Sequence, residues 1–333
     1  MPESPSFVPF TFGAALAPGL IWGVDLDADG EHVVEQCDSP ATGAFRWLHM
    51  NLADHGTRTW IEQASIFPAA VRELLLAPDT HQRALVDGEA VGCVLHDFER
   101  DFDVTETTRI GALRIALTPA LIVTTRLHPL RSADIARQRL RAGAPVTGPA
   151  GALDLVVGAI SQNIAGISRD LGAQVQSAED ALLDGRHPPS TRDLINSRRR
   201  LAQIHRMLDG MRGVFKRLEE DEDLPDALMA TVEKMSQRLQ ALDGDIVGMQ
   251  SQLRLLRDEL DIQAAQRTNQ NLYILSIMTA LMLPATLVTG IFGMNTGGLP
   301  LTGPAGTFVA TLLAIGAAAA TYFLLRWMGF IRR

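Results

Sequence analysis

The spacing of apolar positions changes twice along the 333-residue chain. Up to about residue 143, short runs rich in β-branched residues alternate with short helical stretches, which predicts an α/β domain. A proline- and glycine-rich segment at 144–151 then marks a boundary. The predicted strands are 21–26, 46–51, 82–86, 91–98, 110–117 and 121–125, and the predicted short helices are 59–64, 69–77 and 132–141.

Long helices are predicted after this boundary. Two of them cover 153–184 and 191–219, and a third begins at Pro225, a residue suited to a first helical turn. The third helix carries apolar residues at alternating spacings of three and four, a seam typical of coiled coils, and we expect the two earlier helices to pack against it. The seam positions are 228, 232, 235, 239, 242, 246, 249, 253, 256 and 260.

The end of the chain is almost wholly apolar. Positions 268–325 contain no charged residue, whereas soluble domains average about one charge in four residues. Two stretches, 272–292 and 307–325, are long enough to cross the ~30 Å hydrocarbon core of a bilayer. The connection 293–306 is rich in glycine and proline, so the two spans should form a hairpin, with the third long helix running from 225 to about 292.

The charged residues predict how the chain is oriented in the membrane, and the net charge bears on its partners. Arginines precede the first span and follow the second, while the connection has none, so both termini should be cytoplasmic and the connection outside. The net charge of −8 argues against nucleic acid as a partner. The basic residues beside the spans are Arg254, Arg257, Arg267, Arg326, Arg332 and Arg333.

Candidate catalytic and metal-ligand patterns are weak. The two cysteines cannot form a four-ligand metal site, and the eight histidines have no paired ligand spacing. Asp25, Asp27 and Asp29 imitate the opening of a calcium loop, but strand-like flanks favour a hairpin turn at Asp29-Gly30. An enzyme in residues 1–143 therefore has no supporting constellation, and we expect no catalysis and no cofactor.

A polar stripe follows the first span. Serine and threonine hydroxyls recur on one helical face, although each could instead bond its own helix backbone. A single two-span hairpin cannot enclose a pore, so conduction would require several copies, each contributing one stripe. Neutral oxygens suit a largely hydrated ion better than a stripped one, because Mg²⁺ loses water reluctantly. The stripe consists of Asn269, Leu272, Ser276, Thr279, Leu283, Thr286, Gly290 and Gly293.

Gly293-Met294-Asn295, at the end of the first of two C-terminal spans, resembles the motif of the CorA superfamily of divalent metal ion transporters. Pro284, Thr286 and Asn269 fit the same resemblance. The continuation Thr-Gly-Gly-Leu-Pro at 296–300 resembles the ZntB-like zinc transporter branch, whereas magnesium-type members usually continue with an acidic stretch.

The resemblance implies a CorA-like homopentamer in the inner membrane, with an α+β cytoplasmic funnel domain, a long helical stalk and two C-terminal transmembrane helices. Gly293, Met294 and Asn295 would form the entrance filter, the stripe would line the pore, and Asp258 is a candidate for a cytoplasmic ring. The implied parts are an α/β domain (1–148), antiparallel helices (149–224), a stalk (225–271), a pore-lining span (272–292), an external loop (293–306), a second span (307–325) and a basic tail (326–333).

The predicted cargo is Zn²⁺, taken up through the pore with proton coupling left open. The first alternative keeps the class and changes the ion to magnesium, cobalt or nickel. The second is a membrane-anchored coiled-coil scaffold or sensor without a pore. That alternative explains the coiled-coil seam and the hairpin, but it leaves the polar stripe unexplained.

Overall fold

The computed structural model describes residues 19–26, 31–34, 41, 43–100, 108–184, 190–294 and 306–330. The chain divides into two compact units, Met1–Arg254 and Leu255–Arg333. The described strands are β1 (Leu20–Leu26), β2 (Glu31–Val33), β3 (Phe45–Asn51), β4 (Arg83–Asp87), β5 (Ala90–Phe98), β6 (Ile110–Leu117) and β7 (Leu121–Arg126). The described helices are α1 (His55–Gln63), α2 (Ala69–Leu76), α3 (Arg131–Arg141), α4 (Pro149–Leu183), α5 (Thr191–Glu219), α6 (Asp226–Gly293) and α7 (Gly306–Trp327).

A seven-stranded sheet forms the centre of the first unit, in the order β2-β1-β3-β7-β6-β5-β4. Only the β3–β7 pair is parallel among the described pairs, and the others are antiparallel. Successive residues of the central strands are buried, which means that both faces of the sheet are covered. Helices α1 and α2 cover one face through a core that includes Leu48, Met50, Ile61, Phe67, Val71, Leu75 and Val123. Helices α3, α4 and α5 also contact the sheet.

The six predicted strands and three predicted short helices are confirmed, with shifted ends. Helix α1 begins at His55, four residues earlier than predicted, because the Asp54 carboxylate accepts hydrogen bonds from the Gly56 and Thr57 amides and caps the helix. Strand β2 was not predicted, since three residues carry too little alternation. It pairs antiparallel with β1, while the predicted turn at Asp29-Gly30 lies outside the described residues.

The apolar seam of α6 packs against other helices of the same chain. Helices α4 and α5 are parts of the same unit as its first half, and Met249 lies against α4, with its Sδ 4.0 Å from the Ser168 hydroxyl. Between α5 and α6, the Asp243 carboxylate accepts from Arg212 Nη1 at 2.7 Å and contacts His205 Nδ1 at 2.6 Å. The heptad spacing therefore has a structural explanation that does not need a second copy of the chain. The buried seam residues in this unit are Leu228, Val232, Met235, Leu239, Ile246 and Leu253.

Helix α4 also has the length and apolarity of a membrane span, whereas the sequence predicted two spans, both near the end of the chain. Its most apolar stretch is 56% buried inside the protein, compared with 0% and 6% for the corresponding stretches of α6 and α7. Buried residues such as Leu153, Val157 and Ile160 lie in the first unit, where the sheet and α3 contact this helix. Its hydropathy reflects core packing.

A buried hydrogen-bond network fixes His49 at the centre of the sheet. Arg126 Nε donates to His49 Nε2 at 3.1 Å, so the ring proton lies on Nδ1, which donates to Thr124 Oγ1 at 2.9 Å. The Trp22 ring stacks on His49, with centroids 5.2 Å apart. Burial, together with the charges of Arg126 and Arg137, lowers the pKa of His49 to about 3.

This pKa predicts loss of stability in acid. The unfolded chain protonates His49 at its ordinary pKa of 6.5 and the folded chain does not, so stability should fall as pH drops below 6.5 toward 3, by at most about 1.4 kcal/mol per pH unit. Thermal unfolding of the detergent-solubilised protein between pH 7.5 and 5 measures the slope. His49→Gln should flatten it, and His81→Gln, at an exposed position, should not. Equal slopes in the wild type and His49→Gln would contradict the assignment.

Candidate functional site on helix α6

The second unit contains the remainder of α6 and all of α7, and both helices are long and apolar enough to cross a membrane. The two helices meet in an open groove of about 500 Å³. Small side chains of α7, including Gly316 and Ala320, allow this approach, so the run of small residues there serves packing. The groove is lined by Val288, Ile291, Phe292, Leu312, Leu313, Gly316, Ala317 and Ala320.

The ends of the two helices are also joined. The Tyr273 hydroxyl, near the start of the predicted first span, donates a hydrogen bond to the carbonyl of Phe330, just beyond the end of α7. The start of one apolar helix therefore lies beside the end of the other. This arrangement is an antiparallel hairpin, as the glycine- and proline-rich connection predicts.

One face of α6 is turned toward α7, and the polar stripe lies on a different face. The half-buried positions of α6 within the span are 277, 280, 281, 284, 285, 288 and 292. The stripe residues are exposed, at positions 269, 272, 276, 279, 283, 286, 290 and 293. At about 100° per residue, the centres of the two sets lie on nearly opposite sides of the helix. The hairpin therefore leaves the stripe uncovered.

The threonine hydroxyls of the stripe bond the helix backbone. Thr279 Oγ1 donates to the Leu275 carbonyl at 2.9 Å, and Thr286 Oγ1 donates to the Met282 carbonyl at 2.8 Å. Each hydroxyl has one proton and two lone pairs, so the backbone bond uses the proton and leaves the oxygen as an acceptor. Water bound to a cation directs its protons outward, and acceptor oxygens are what those protons require.

Pro284 adds a further acceptor beside these hydroxyls. Proline has no amide hydrogen, so the carbonyl of Ala280, four residues earlier, loses its usual helical partner. Ala280 and Pro284 line an open groove of about 470 Å³ together with Ser276 and Thr279. The groove therefore brings the hydroxyls of two stripe residues together with Ala280 and Pro284 from the neighbouring half-buried set.

The ends of the stripe are described in part. Gly293 is the last residue of α6, and Met294 is 56% exposed, with its amide donating to the Ile291 carbonyl at 3.3 Å. Asn295 lies outside the described residues. Asp258, Asn269 and Leu272 are exposed on α6. The pore-lining, filter and ring roles of all these residues stay predictions.

Metal-ligating side chains are not concentrated in the described part of the chain. Within those residues, no group of three or more histidine, cysteine, aspartate or glutamate side chains could hold a metal ion. Cys93 is buried, and burial raises the pKa of its thiol to about 12, which makes it unsuitable as a thiolate ligand. The chemistry of the stripe is thus that of neutral oxygens.

Known proteins resemble this chain over both units. The zinc transport protein ZntB of Yersinia pseudotuberculosis serotype O:1b (strain IP 31758) is 24% identical over 287 residues, which cover 84% of this chain and 86% of that protein. The full-length CmaX protein has the same fold, with a TM-score of 0.77 and 22% identity over 94% of this chain and 98% of that chain. The complete CorA magnesium transporter from Methanocaldococcus jannaschii gives a TM-score of 0.76 and 16% identity, over 93% of this chain and 98% of that chain.

These similarities agree with the fold described above, an α/β unit with a long helix that continues into an apolar hairpin. Residues 42–328 match the family described as "CorA-like Mg2+ transporter protein". That match includes strands β3 to β7, all seven described helices and the uncharged stretch at 268–325. The chain therefore belongs to the CorA-like Mg²⁺ transporter protein family, as its Gly-Met-Asn motif and two C-terminal spans predicted.

Proposed function

We propose that this protein carries divalent metal ions across a cell membrane, with zinc as the preferred ion. The observation that carries the proposal is the exposed stripe of α6, which lies opposite the α7 contact and presents acceptor oxygens. The Thr279 and Thr286 hydroxyls keep acceptor capacity on this exposed face, which contact with α7 does not require. Polar groups facing lipid are costly, which favours a water-containing path between several copies.

A homopentamer supplies that path. In this arrangement five α6 stripes face a common axis, and the five α7 helices face lipid. Gly293, Met294 and Asn295 form the outer opening, and Asn269, Leu272, Leu283 and Thr286 line the passage. The family resemblance supports the number five. The arginines flanking the spans favour cytoplasmic termini, and the same resemblance favours the inner membrane.

The ion moves with most of its water attached. Positions 268–325 contain no carboxylate, thiolate or imidazole that could replace the hydration shell. Stripe oxygens accept hydrogen bonds from ion-bound water, so discrimination depends on the size and rigidity of the hydrated ion. The same absence leaves the spans without a side chain suited to relay protons. Metal flux measured with and without an imposed pH gradient tests proton coupling.

Zinc is preferred because the similar ZntB protein is named a zinc transport protein and because the residues after the Gly-Met-Asn motif resemble that branch. Magnesium is the second candidate, favoured by the family description and by the CorA structure. Competition separates the two ions. Excess Mg²⁺ should leave Zn²⁺ uptake nearly unchanged if zinc is the cargo, and should suppress it if magnesium is.

Uptake of Zn²⁺ into liposomes that contain the purified protein is the direct test. Asn295→Ala should lower flux about tenfold or more, because loss of about 1.4 kcal/mol of ion–amide interaction corresponds to a factor of ten. Asn271→Ala is the matched control, since Asn271 lies two residues from Asn269 and therefore on the other side of the helix. Normal flux in Asn295→Ala would remove the filter assignment. No metal flux from the wild type would favour the scaffold or sensor alternative.

A further inference from the structure

Two guanidinium groups from different helices converge on one glycine in the first unit. Gly158 is a buried residue of α4. The Nη1 atoms of Arg139, on α3, and Arg238, on α6, lie 3.5 and 3.3 Å from the point that a Cβ on Gly158 would occupy. The two nitrogen atoms are therefore no more than 6.8 Å apart.

No carboxylate pairs with either arginine among the residues that the structure describes. Asp154, one helical turn before Gly158, is paired with Lys234 Nζ at 2.8 Å. Arg139 donates its other terminal nitrogen to the neutral Gln162 amide oxygen, which leaves its charge uncompensated. Two like charges so close, without an acid between them, favour an anion in the gap.

A cavity of about 440 Å³ opens beside Arg139, between α3 and α4. The charged residues that line the cavity are three arginines and one aspartate. Side-chain amides supply further hydrogen-bond donors. Its volume lies in the range of small-molecule sites. The polar residues that line it include Arg131, Arg139, Gln162, Asn163, Arg169 and Asp170.

We propose that Arg139, Arg238 and Gly158 bind a phosphate group of a soluble small molecule, whose remaining part occupies the adjoining cavity. Charge-assisted N–H···O contacts of about 2.8 Å on two sides of one phosphate can bridge a gap of this size. Arginine suits this role because its planar fork matches phosphate oxygens. Gly158 contributes by lacking a side chain, so that the anion can approach the helix.

The occupied site would connect three helices. Arg139 belongs to α3, Gly158 to α4, and Arg238 to α6, the helix that continues into the apolar hairpin. A bound phosphate would replace the repulsion between the two arginines by shared hydrogen bonds and so stabilise the packing of the first half of α6. The inference does not rest on the ion that the protein transports.

Calorimetric titration of the full-length protein in detergent with pyrophosphate, at low salt, tests the site. We expect saturable binding to the wild type, and a dissociation constant raised about tenfold in each of Arg139→Gln and Arg238→Gln, since each removes a charge-assisted contact. Arg141→Gln is the matched control, because Arg141 lies on the same helix at an exposed position. It should bind like the wild type.

Gly158→Ala separates binding from folding. Alanine is the better helix former, and the new Cβ would touch only the ends of two flexible side chains, so the variant should fold. It should also bind pyrophosphate more weakly, because the Cβ keeps the phosphate oxygens farther from the helix and displaces the ends of the two arginine side chains. Circular dichroism and the oligomer mass check that each variant keeps its structure, and zinc flux in Arg238→Gln checks that transport is intact.

Two results would overturn the inference. One is the absence of saturable pyrophosphate binding to the wild type, and the other is unchanged binding in both arginine variants. Vesicles of phosphatidylglycerol form a separate arm of the experiment. Binding to vesicles that depends on these arginines, without binding of pyrophosphate, would assign the site to a lipid headgroup and overturn the assignment to a soluble ligand. A change of oligomer mass in Arg238→Gln without pyrophosphate binding would instead assign the arginines to a contact between copies.

Discussion

Leucine at both Thr279 and Thr286 is expected to lower zinc flux about 30- to 150-fold in the liposome assay. Each substitution removes an acceptor oxygen from the exposed stripe, and a hydrogen bond of this kind contributes about 1–1.5 kcal/mol. Loss of the acceptor at both positions therefore raises the free-energy barrier to ion passage by about 2–3 kcal/mol. Both residues lie on the exposed face of α6, and leucine is a good helix former, so assembly should be retained.

Two control variants separate the effect of losing the hydroxyl oxygen from the effect of changing the shape of the side chain. Serine at both positions keeps the hydroxyl and should retain most of the flux. Thr311→Leu makes the same change on α7, where the hydroxyl also bonds its own backbone, to the Thr307 carbonyl at 2.9 Å. It should leave transport unchanged. Normal flux in the double leucine variant would mean that the stripe serves packing, and the membrane-anchored scaffold would become the better interpretation.

Replacing Arg46 with leucine should have the largest effect on stability. Arg46 and Asp25 lie opposite each other on β3 and β1, both nearly fully buried, and are joined by bonds of 2.7 Å from Nε and 2.8 Å from Nη2. Leucine leaves the Asp25 carboxylate buried without this partner, which costs about 3–5 kcal/mol. The unfolding midpoint should fall by about 10 °C, since about 1 kcal/mol corresponds to 2–4 °C for a unit of this size.

Tryptophan fluorescence reports this transition, because Trp22 and Trp47 lie in the same part of the sheet. Lys216→Leu breaks an exposed pair with Glu220, with a 3.7 Å separation, and should change stability by less than about 1 kcal/mol. Replacing both Asp25 and Arg46 by leucine should cost less than Arg46→Leu alone, because the buried Asp25 carboxylate is then removed together with its partner. A loss below about 1 kcal/mol in Arg46→Leu would contradict the expected role of the pair.

Segments in which buried residues recur at a regular interval could be predicted from the sequence. The six predicted strands lie in the sheet, and the seam from Leu228 to Leu253 packs as its three-and-four spacing indicated. The short strand β2 was missed because three residues cannot display a period. Helix α4 shows that apolarity alone does not identify a membrane span, since core packing and membrane insertion select the same residues. Only the contacts of the helix distinguish the two cases.

The candidate site was predictable only in outline. The stripe from Asn269 to Gly293 could be recognised because polar side chains are costly in lipid and stand out in an uncharged span. Its relation to α7 could not be recognised, since nearly every position of α7 is apolar or small and no periodicity marks the contacting face. The hydroxyl bonds of Thr279 and Thr286 likewise depend on rotamers that a sequence does not specify.

The sequence by itself determined which segments are apolar and which basic residues flank the uncharged stretch near the end of the chain, because each of these follows from local composition. The tertiary structure decided which distant residues meet. Strand register pairs Asp25 with Arg46, and helix packing brings Arg139 and Arg238 to Gly158 and turns the stripe of α6 away from α7. Such pairings depend on contacts between residues that are far apart in the chain, and only the folded backbone specifies those contacts.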